Sequence, residues 1–259
     1  MNLAAFFTES GSYDAALELA NKAKEKDKEA WSKHRYLGLT FLLTSNDLLK
    51  DEWALKDSKL FLELSRNQWL FEDYITNNWA QVAIVGNAPK ELHLKKGILI
   101  DQYEKVVRFN GAITEYPYSI DYGKKTNILV INPRYFETPR NAKYDLDFII
   151  ISDGNLYSSK NISLKLHDLS QFSSRICFLP RKLDISLTKR ISASPSSGLK
   201  FLSWLYSING PISRARIFGF SLTDQSYGVA TSYSSGQRVG LNTIHNWTNE
   251  KEYLESIIK

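Results

Sequence analysis

The sequence predicts an α/β fold: a single parallel sheet flanked by helices, with a small α-helical extension at its N-terminal side. Two observations carry this. Residues 1–78 are rich in Ala, Leu, Lys, Glu and Trp, lack Pro and show helical periodicity. From Trp79 onward, short and nearly continuous apolar runs alternate with helical stretches. Apolar runs of that kind are strands buried on both faces, the pattern of a parallel sheet covered by helices. The length of 259 residues suits one sizeable domain plus a small accessory element, and 43% hydrophobic content argues for a folded chain. The chain therefore divides into a helical accessory region, residues 1–78, and a sheet domain, residues 79–259.

Taken in order, Ala16, Leu17, Leu19, Ala20 and Ala23 recur at helical spacing. A second helical run is expected over residues 29–44 and a third over 55–69. Together they suggest helical hairpins, loosely like a tetratricopeptide unit but without an internal repeat. Strands are expected at 81–86, 105–110, 127–132, 148–152 and 214–220. Ligands of such sheets bind beyond the carboxyl ends of the strands, which singles out the residues that follow each one.

The first strand runs into Gly86-Asn87-Ala88-Pro89, the second into Asn110-Gly111, the third into Asn132-Pro133. One asparagine after a strand is ordinary turn chemistry. Asn87, Asn110 and Asn132 in one crevice point to a nucleotide pocket, because an amide offers donor and acceptor without charge. The GxGxxG fingerprint is absent, which disfavours an NAD-dependent oxidoreductase. Ser194-Pro195-Ser196-Ser197-Gly198 opens a helical run, and its hydroxyls and amides suit helix capping and anion binding equally.

His245 stands shortly before a C-terminal helix. A single histidine can serve as a general base near neutral pH, although a histidine near a helix start is more often structural. Glu250, five residues on, reads as a helix cap in preference to a partner of the imidazole. Asp145-Leu146-Asp147 has the DxD form of a metal-binding motif, but it precedes the strand at 148 and so falls at the opposite end of the sheet. It is expected to be solvated there, and no metal is expected. Cys177 is the single cysteine, which excludes an intrachain disulfide and a cysteine-rich zinc site; it lies in an apolar run and reads as a buried thiol.

The formal charge of +5 suits an anionic small molecule, a membrane surface or nucleic acid. No nucleic-acid-binding motif is present, so that partner is set aside. No apolar run nears the ~20 residues of a membrane span, and the opening residues lack a basic leader segment. The expectation is a cytoplasmic protein, with peripheral contact at the inner membrane face left open.

Three ordered segments carry a resemblance. Gly86-Asn87, Gly97-x-x-Ile100-Asp101-x-Tyr103-Glu104-x-Val106-x-Arg108-x-Asn110 and Asp121-x-Gly123-x-Lys125-Thr126 resemble the large sialylmotif of eukaryotic-type sialyltransferases. Pro195-Ser196-Ser197-Gly198, running on to residues 217–220, resembles the small sialylmotif, and His245 with Glu250 resembles the family's H-x4-E motif. Bacterial sialyltransferases of the Campylobacter type are similar at Asn87-Ala-Pro89, Arg108-Phe-Asn110, Asn132-Pro133 and Ser196-Ser-Gly198.

The resemblance implies a Rossmann-like (GT-A-variant) domain that transfers sialic acid from CMP-sialic acid with inversion, without a metal or other cofactor. It assigns Asn87, Asn110 and Asn132 to the CMP portion, Ser196, Ser197 and Gly198 to the phosphate or sugar carboxylate, and His245 to the base. The family's third-motif histidine is missing, so Tyr227 or Tyr233, within a lid expected over 223–243, would take its phosphate contact. The acceptor would be an oligosaccharide such as lipopolysaccharide or capsule. CMP-Kdo, which shares the leaving group and the ulosonic acid carboxylate, is the alternative donor. A catalytically degenerate binding module is the second alternative.

Overall fold

The computed structural model describes residues 1–33, 36–132, 146–152, 166, 169–170, 172–221 and 245–259. Pro133, Asp145, Tyr227, Tyr233 and the expected lid lie outside the described residues.

The N-terminal region contains helices α1 (Asn2–Ser10), α2 (Tyr13–Lys26), α3 (Lys28–Lys33), α4 (Leu37–Ser45) and α5 (Glu52–Asn77). Helix α1 stops at Gly11, whose φ of 84° lets its amide and that of Ser12 bond back to Thr8 and Phe7. Ala4, Ala5, Ala20, Trp31, Leu39, Leu43 and Ala54 form a small core of their own. The expected second helical run is thus two helices, and the expected third extends over 26 residues.

That extension has a physical cause. Leu64 of α5 packs on one face of the sheet, whereas Phe71 and Ile75 pack on the other. Burying these side chains favours continuing the helix by roughly 1.5–3 kcal/mol each. Helix α5 therefore belongs to the packing of both regions, since Ala54 at its start completes the N-terminal core.

The sheet has six parallel strands in the order β5-β4-β3-β2-β1-β6. They are β1 (Val82–Val85), β2 (Lys105–Phe109), β3 (Ile128–Ile131), β4 (Phe148–Ile151), β5 (Ile176–Phe178) and β6 (Ile217–Phe218). This is the parallel α/β architecture expected from the sequence. Side chains alternate: Ile84, Val107, Val130 and Ile150 face Phe71, Phe201 and Trp204, while Leu129, Ile131, Ile149 and Ile151 face the opposite way. Helices α6 (Gly97–Asp101) and α7 (Ser119–Tyr122) precede β2 and β3; α8 (Arg181–Ile191) and α9 (Ser197–Asn209) follow β5; α10 (Trp247–Ile257) closes the chain.

Strand β5 is a three-residue element that the sequence shows only as an apolar run around Cys177. Complete burial pushes the Cys177 thiol well above its ordinary pKa, so it stays protonated and unreactive. The last expected strand shrinks to two residues because residues 214–216 form a 3-10 turn and Gly219, with φ 65°, ends it.

Much of the large motif builds this frame. The Arg108 guanidinium is buried and donates to the carbonyls of Lys125 at 2.9 Å and Tyr122 at 2.7 Å. The Asp101 carboxylate accepts the amides of Lys124 and Lys125. A Cβ on Gly97 would fall 2.1 Å from the carbonyl oxygen of Ser119, so α6 and α7 meet backbone to backbone. Among the described residues, no helix is long and apolar enough to cross a membrane.

Candidate functional site

The strand ends β1, β2 and β3 are stitched together by the expected asparagines. Asn87 Nδ2 donates to the carbonyl of Phe109 at 3.0 Å. Asn110, left-handed at φ 51°, accepts the amide of Asn132 on its Oδ1 at 2.7 Å. Each of these two side chains therefore spends one half on the backbone. The other halves, Asn87 Oδ1 and Asn110 Nδ2, have no hydrogen-bond partner among the described residues. Turn-forming and ligand-binding readings of these asparagines are thus compatible.

Helix α9 begins beside the end of β4. Ser196 is its N-cap and accepts the amide of Leu199 at 3.2 Å on Oγ. Ser197 Oγ lies 2.8 Å from Ser152 Oγ, the residue that follows β4. Ser152 was not singled out in the sequence, because a serine after an apolar run carries no distinctive spacing. The amides of Ser197 and Gly198, at the first positions of the helix, have no partner among the described residues. They stand where the positive end of the helix favours an anion.

One aromatic ring joins this helix start to β1. A Cβ on Gly198 would lie 2.8 Å from Phe220 Cε1, and one on Gly86 would lie 2.9 Å from Phe220 Cδ2. Gly198 is therefore small because Phe220 fills the adjacent space. Gly86 also abuts the carbonyl of Gly219, and the turn is locked by bonds from the Gly86 and Ala88 amides to Phe218 and Gly219.

His245 reaches the same region from the C-terminal side. Its Nδ1 lies 2.6 Å from the carbonyl oxygen of Ser194, two residues before the N-cap. A carbonyl only accepts, so Nδ1 carries the proton and Nε2 keeps the lone pair in the neutral ring. The ring packs on Trp247 with centroids 4.9 Å apart.

Glu250 does not cap its own helix; Asn246 does, accepting the Asn249 amide at 3.1 Å. The Glu250 carboxylate is fully buried and accepts the Ser196 amide at 2.8 Å and the Ser196 hydroxyl at 2.7 Å. Burial pushes its pKa up, against the opposing pull of those bonds and of the His245 and Lys200 charges. Asp147 sits at the amino end of β4, away from these residues, and is not simply solvated: it accepts from Tyr74 at 2.6 Å and Lys105 at 3.0 Å.

The model of glycosyltransferase family 29 (sialyltransferase) matches residues 22–155, more than half of the chain. The chain belongs to that family. The match takes in Asn87, Asn110 and Asn132 and ends before Ser196 and His245. Sialyltransferase-like protein 2 of Arabidopsis thaliana is 25% identical over 173 residues, covering 66% of this chain and 37% of that protein. The chain thus spans well under half the length of this relative. A mammalian sialyltransferase crystal structure is 18% identical with a TM-score of 0.48, and its complex with Gal-beta-1-3GalNAc-ortho-nitrophenol is 18% identical with a TM-score of 0.44. Each covers 69% of this chain and 67% of the solved one.

Proposed function

We propose that the protein is an inverting, metal-independent glycosyltransferase that moves sialic acid from CMP-sialic acid to a glycan hydroxyl. Membership of family 29 supports the reaction class. The observation that carries the proposal for this chain is the placement of His245 against Ser194, which brings a base to the start of a helix; among the described residues its Nε2 and the helix's first amides have no partner.

In this reading the asparagine-stitched strand ends hold the CMP portion through Asn87 Oδ1 and Asn110 Nδ2, with Asn132 fixing Asn110. Loss of CMP builds positive charge on the anomeric carbon and negative charge on the phosphate. The Ser197 and Gly198 amides, with the Ser197 hydroxyl beside them, face that negative charge, while the Ser196 hydroxyl, expected to join them, is given to Glu250 and sets the helix start instead. A phosphate contact from Tyr227 or Tyr233 is part of the proposal. His245 Nε2 takes the acceptor hydroxyl proton as the oxygen attacks opposite the leaving group, a role worth roughly 10²–10⁴-fold. Attack opposite to departure inverts the centre.

The acceptor is proposed to be a bacterial surface glycan such as lipopolysaccharide or capsule, supported by the Campylobacter-type motif pattern, with the reaction at the cytoplasmic membrane face. Exposed Leu94, Ile98, Leu99 and Ile120 beside Lys95 and Lys124 support peripheral contact there.

The test is calorimetric titration with CMP, CMP-sialic acid and CMP-Kdo in EDTA, followed by a transfer assay with His245→Ala. Expected are tight binding of CMP-sialic acid without metal and loss of transfer in the variant with CMP binding retained. Preference for CMP-Kdo would reassign the donor, and binding of none of the three would overturn the function.

A further inference from the structure

A buried carboxylate is costly, and Glu250 is 0% exposed. Desolvating it costs several kcal/mol unless hydrogen bonds and charges compensate. The compensation comes from Ser196 and His245, with the Lys200 charge adding to it. Both carboxylate oxygens are met by Ser196, through its amide at 2.8 Å and its hydroxyl at 2.7 Å, and Oε1 also lies 3.7 Å from His245 Nδ1.

The directions of these bonds matter. A carboxylate can only accept, so the Ser196 hydroxyl donates to Glu250 while its lone pair takes the Leu199 amide. Ser196 is held on both sides, and the helix start cannot rotate without breaking a bond to a buried charge. The Nδ1 proton of His245 is already given to Ser194, so Glu250 meets the ring as a nearby negative charge and not as a hydrogen-bond acceptor. When Nε2 takes a proton the positive charge spreads over both ring nitrogens, and Glu250 stands 3.7 Å from Nδ1, close enough to stabilise it.

Resting on the function proposed above, we infer that Glu250 is a positioning residue: one buried carboxylate fixes the first turn of α9 through Ser196 and faces the His245 imidazole, so that anion-binding amides and base keep one geometry. Among the described residues, Glu250 is the one side chain that joins Ser196 by hydrogen bonds and His245 by charge. Its negative charge matters beyond its shape, because a neutral amide of the same size keeps one acceptor for the Ser196 amide but loses the interaction with the ring.

The experiment compares wild type, Glu250→Gln, Ser196→Ala, His245→Ala and the Glu250→Gln/His245→Ala double variant. Two readouts are taken. The first is steady-state kcat and KM for CMP-sialic acid, with CMP affinity by calorimetry. Glu250→Gln is expected to lower kcat about 10- to 100-fold, as removal of a partner that orients a reactive group does, with CMP affinity changed less than about threefold. In the His245→Ala background the same change should cost nothing further, because it acts through the ring. Ser196→Ala should raise the donor KM more than it lowers kcat. Unchanged kcat in Glu250→Gln, equal losses of kcat and CMP affinity, or full additivity with His245→Ala would overturn the inference.

The second readout needs no substrate. The imidazole resonances of His245, one of four histidines, are followed by NMR. They should shift or broaden in Glu250→Gln and in Ser196→Ala while the other histidines stay in place; unchanged His245 signals in both would overturn the positioning role. A wild-type protein without transferase activity that still shows these shifts would overturn the proposed function and leave the positioning intact. Should Glu250→Gln fail to fold, Ser196→Ala decides, since it removes the hydroxyl bonds to Glu250 and Leu199 while the buried carboxylate keeps the residue 196 amide.

Discussion

Gly198 has no room for a methyl group, because its Cβ position lies 2.8 Å from Cε1 of the Phe220 ring. That ring is held edge-to-face by Phe109 at 5.6 Å, so it cannot retreat without losing the contact. Gly198→Ala is expected to destabilise the fold by about 1–3 kcal/mol and to weaken CMP binding through displacement of the helix start. Gly86→Ala should cost more, because its Cβ would meet the Gly219 carbonyl oxygen at 2.5 Å, a backbone atom. Denaturant midpoints of the two variants check the order. Phe220→Leu should restore part of the Gly198→Ala loss and none of the backbone clash in Gly86→Ala.

Asn110 separates backbone from binding. Its φ of 51° favours Gly or Asn, and alanine there costs about 1–2 kcal/mol. Asn110→Gly avoids that strain but also lacks the side-chain amide. Asn110→Ala should therefore be the less stable of the two in urea, whereas both should lose CMP affinity, about 5- to 20-fold for one lost neutral hydrogen bond and its geometry. Equal CMP affinity in wild type and Asn110→Gly would confine the residue to the turn.

One turn along α9 from the site, Lys200 meets Asp184 of α8 at 2.9 Å, with 7% and 6% of the two residues exposed. Asp184 also pairs with Arg181, which reaches Glu9 of α1 at 2.8 Å. Asp184→Asn strands the buried Lys200 charge, whereas Lys200→Met leaves Asp184 its pair with Arg181. Asp184→Asn should destabilise by about 3–5 kcal/mol, Lys200→Met by less, and the double variant by clearly less than the sum. Urea unfolding of the three variants gives the coupling directly.

The pH dependence of stability should carry the mark of Asp147. Burial pushes its carboxyl up, but bonds from Tyr74, Lys105 and Asn127 and the Lys105 charge outweigh this and hold it below the usual aspartate value. A depressed pKa in the folded state means stability present above the unfolded value and lost as pH falls through the folded one. The advantage of wild type over Asp147→Asn should be constant at neutral pH and shrink below about pH 4. Midpoints measured from pH 2.5 to 7 check this; a difference independent of pH would remove the ion pair from the account.

Strands β1 to β4 were legible because each is a run of four or five residues, apolar except for Lys105 and Arg108 of β2, followed by a turn, and their order along the chain gave the parallel sheet. Strand β5 was not, since Ile176–Phe178 is too short to be told from a buried coil by pattern. The sequence pattern ends helix α5 at 69, where its apolar stripe passes from one face of the sheet, at Leu64, to the other, at Phe71. At the site, spacing exposed the asparagines and the Ser-Ser-Gly turn. The bond between Glu250 and Ser196 joins residues 54 apart, and no local pattern encodes it. Arg108, a motif position given no role by the sequence, serves two carbonyls inside the frame.

Helix α5 has one more consequence, for the flank of the sheet. Strand β5 pairs with β4 through residues such as Arg175, whose carbonyl takes the Ile149 amide, and Leu179, whose amide gives to Ile151. The carbonyls of Ile176 and Phe178 therefore point away from β4, and the side-chain amides of Asn67 and Gln68 take both at 3.0 Å. An incoming strand from another molecule would find those acceptors occupied and a helix in its path. On the opposite flank β6 offers two residues, a template too brief to hold a partner. A sheet of continuous Ile and Val runs would otherwise invite growth by strand addition; here two amides on one helix turn close it off, and the protein can carry so apolar a sheet without recruiting its neighbours.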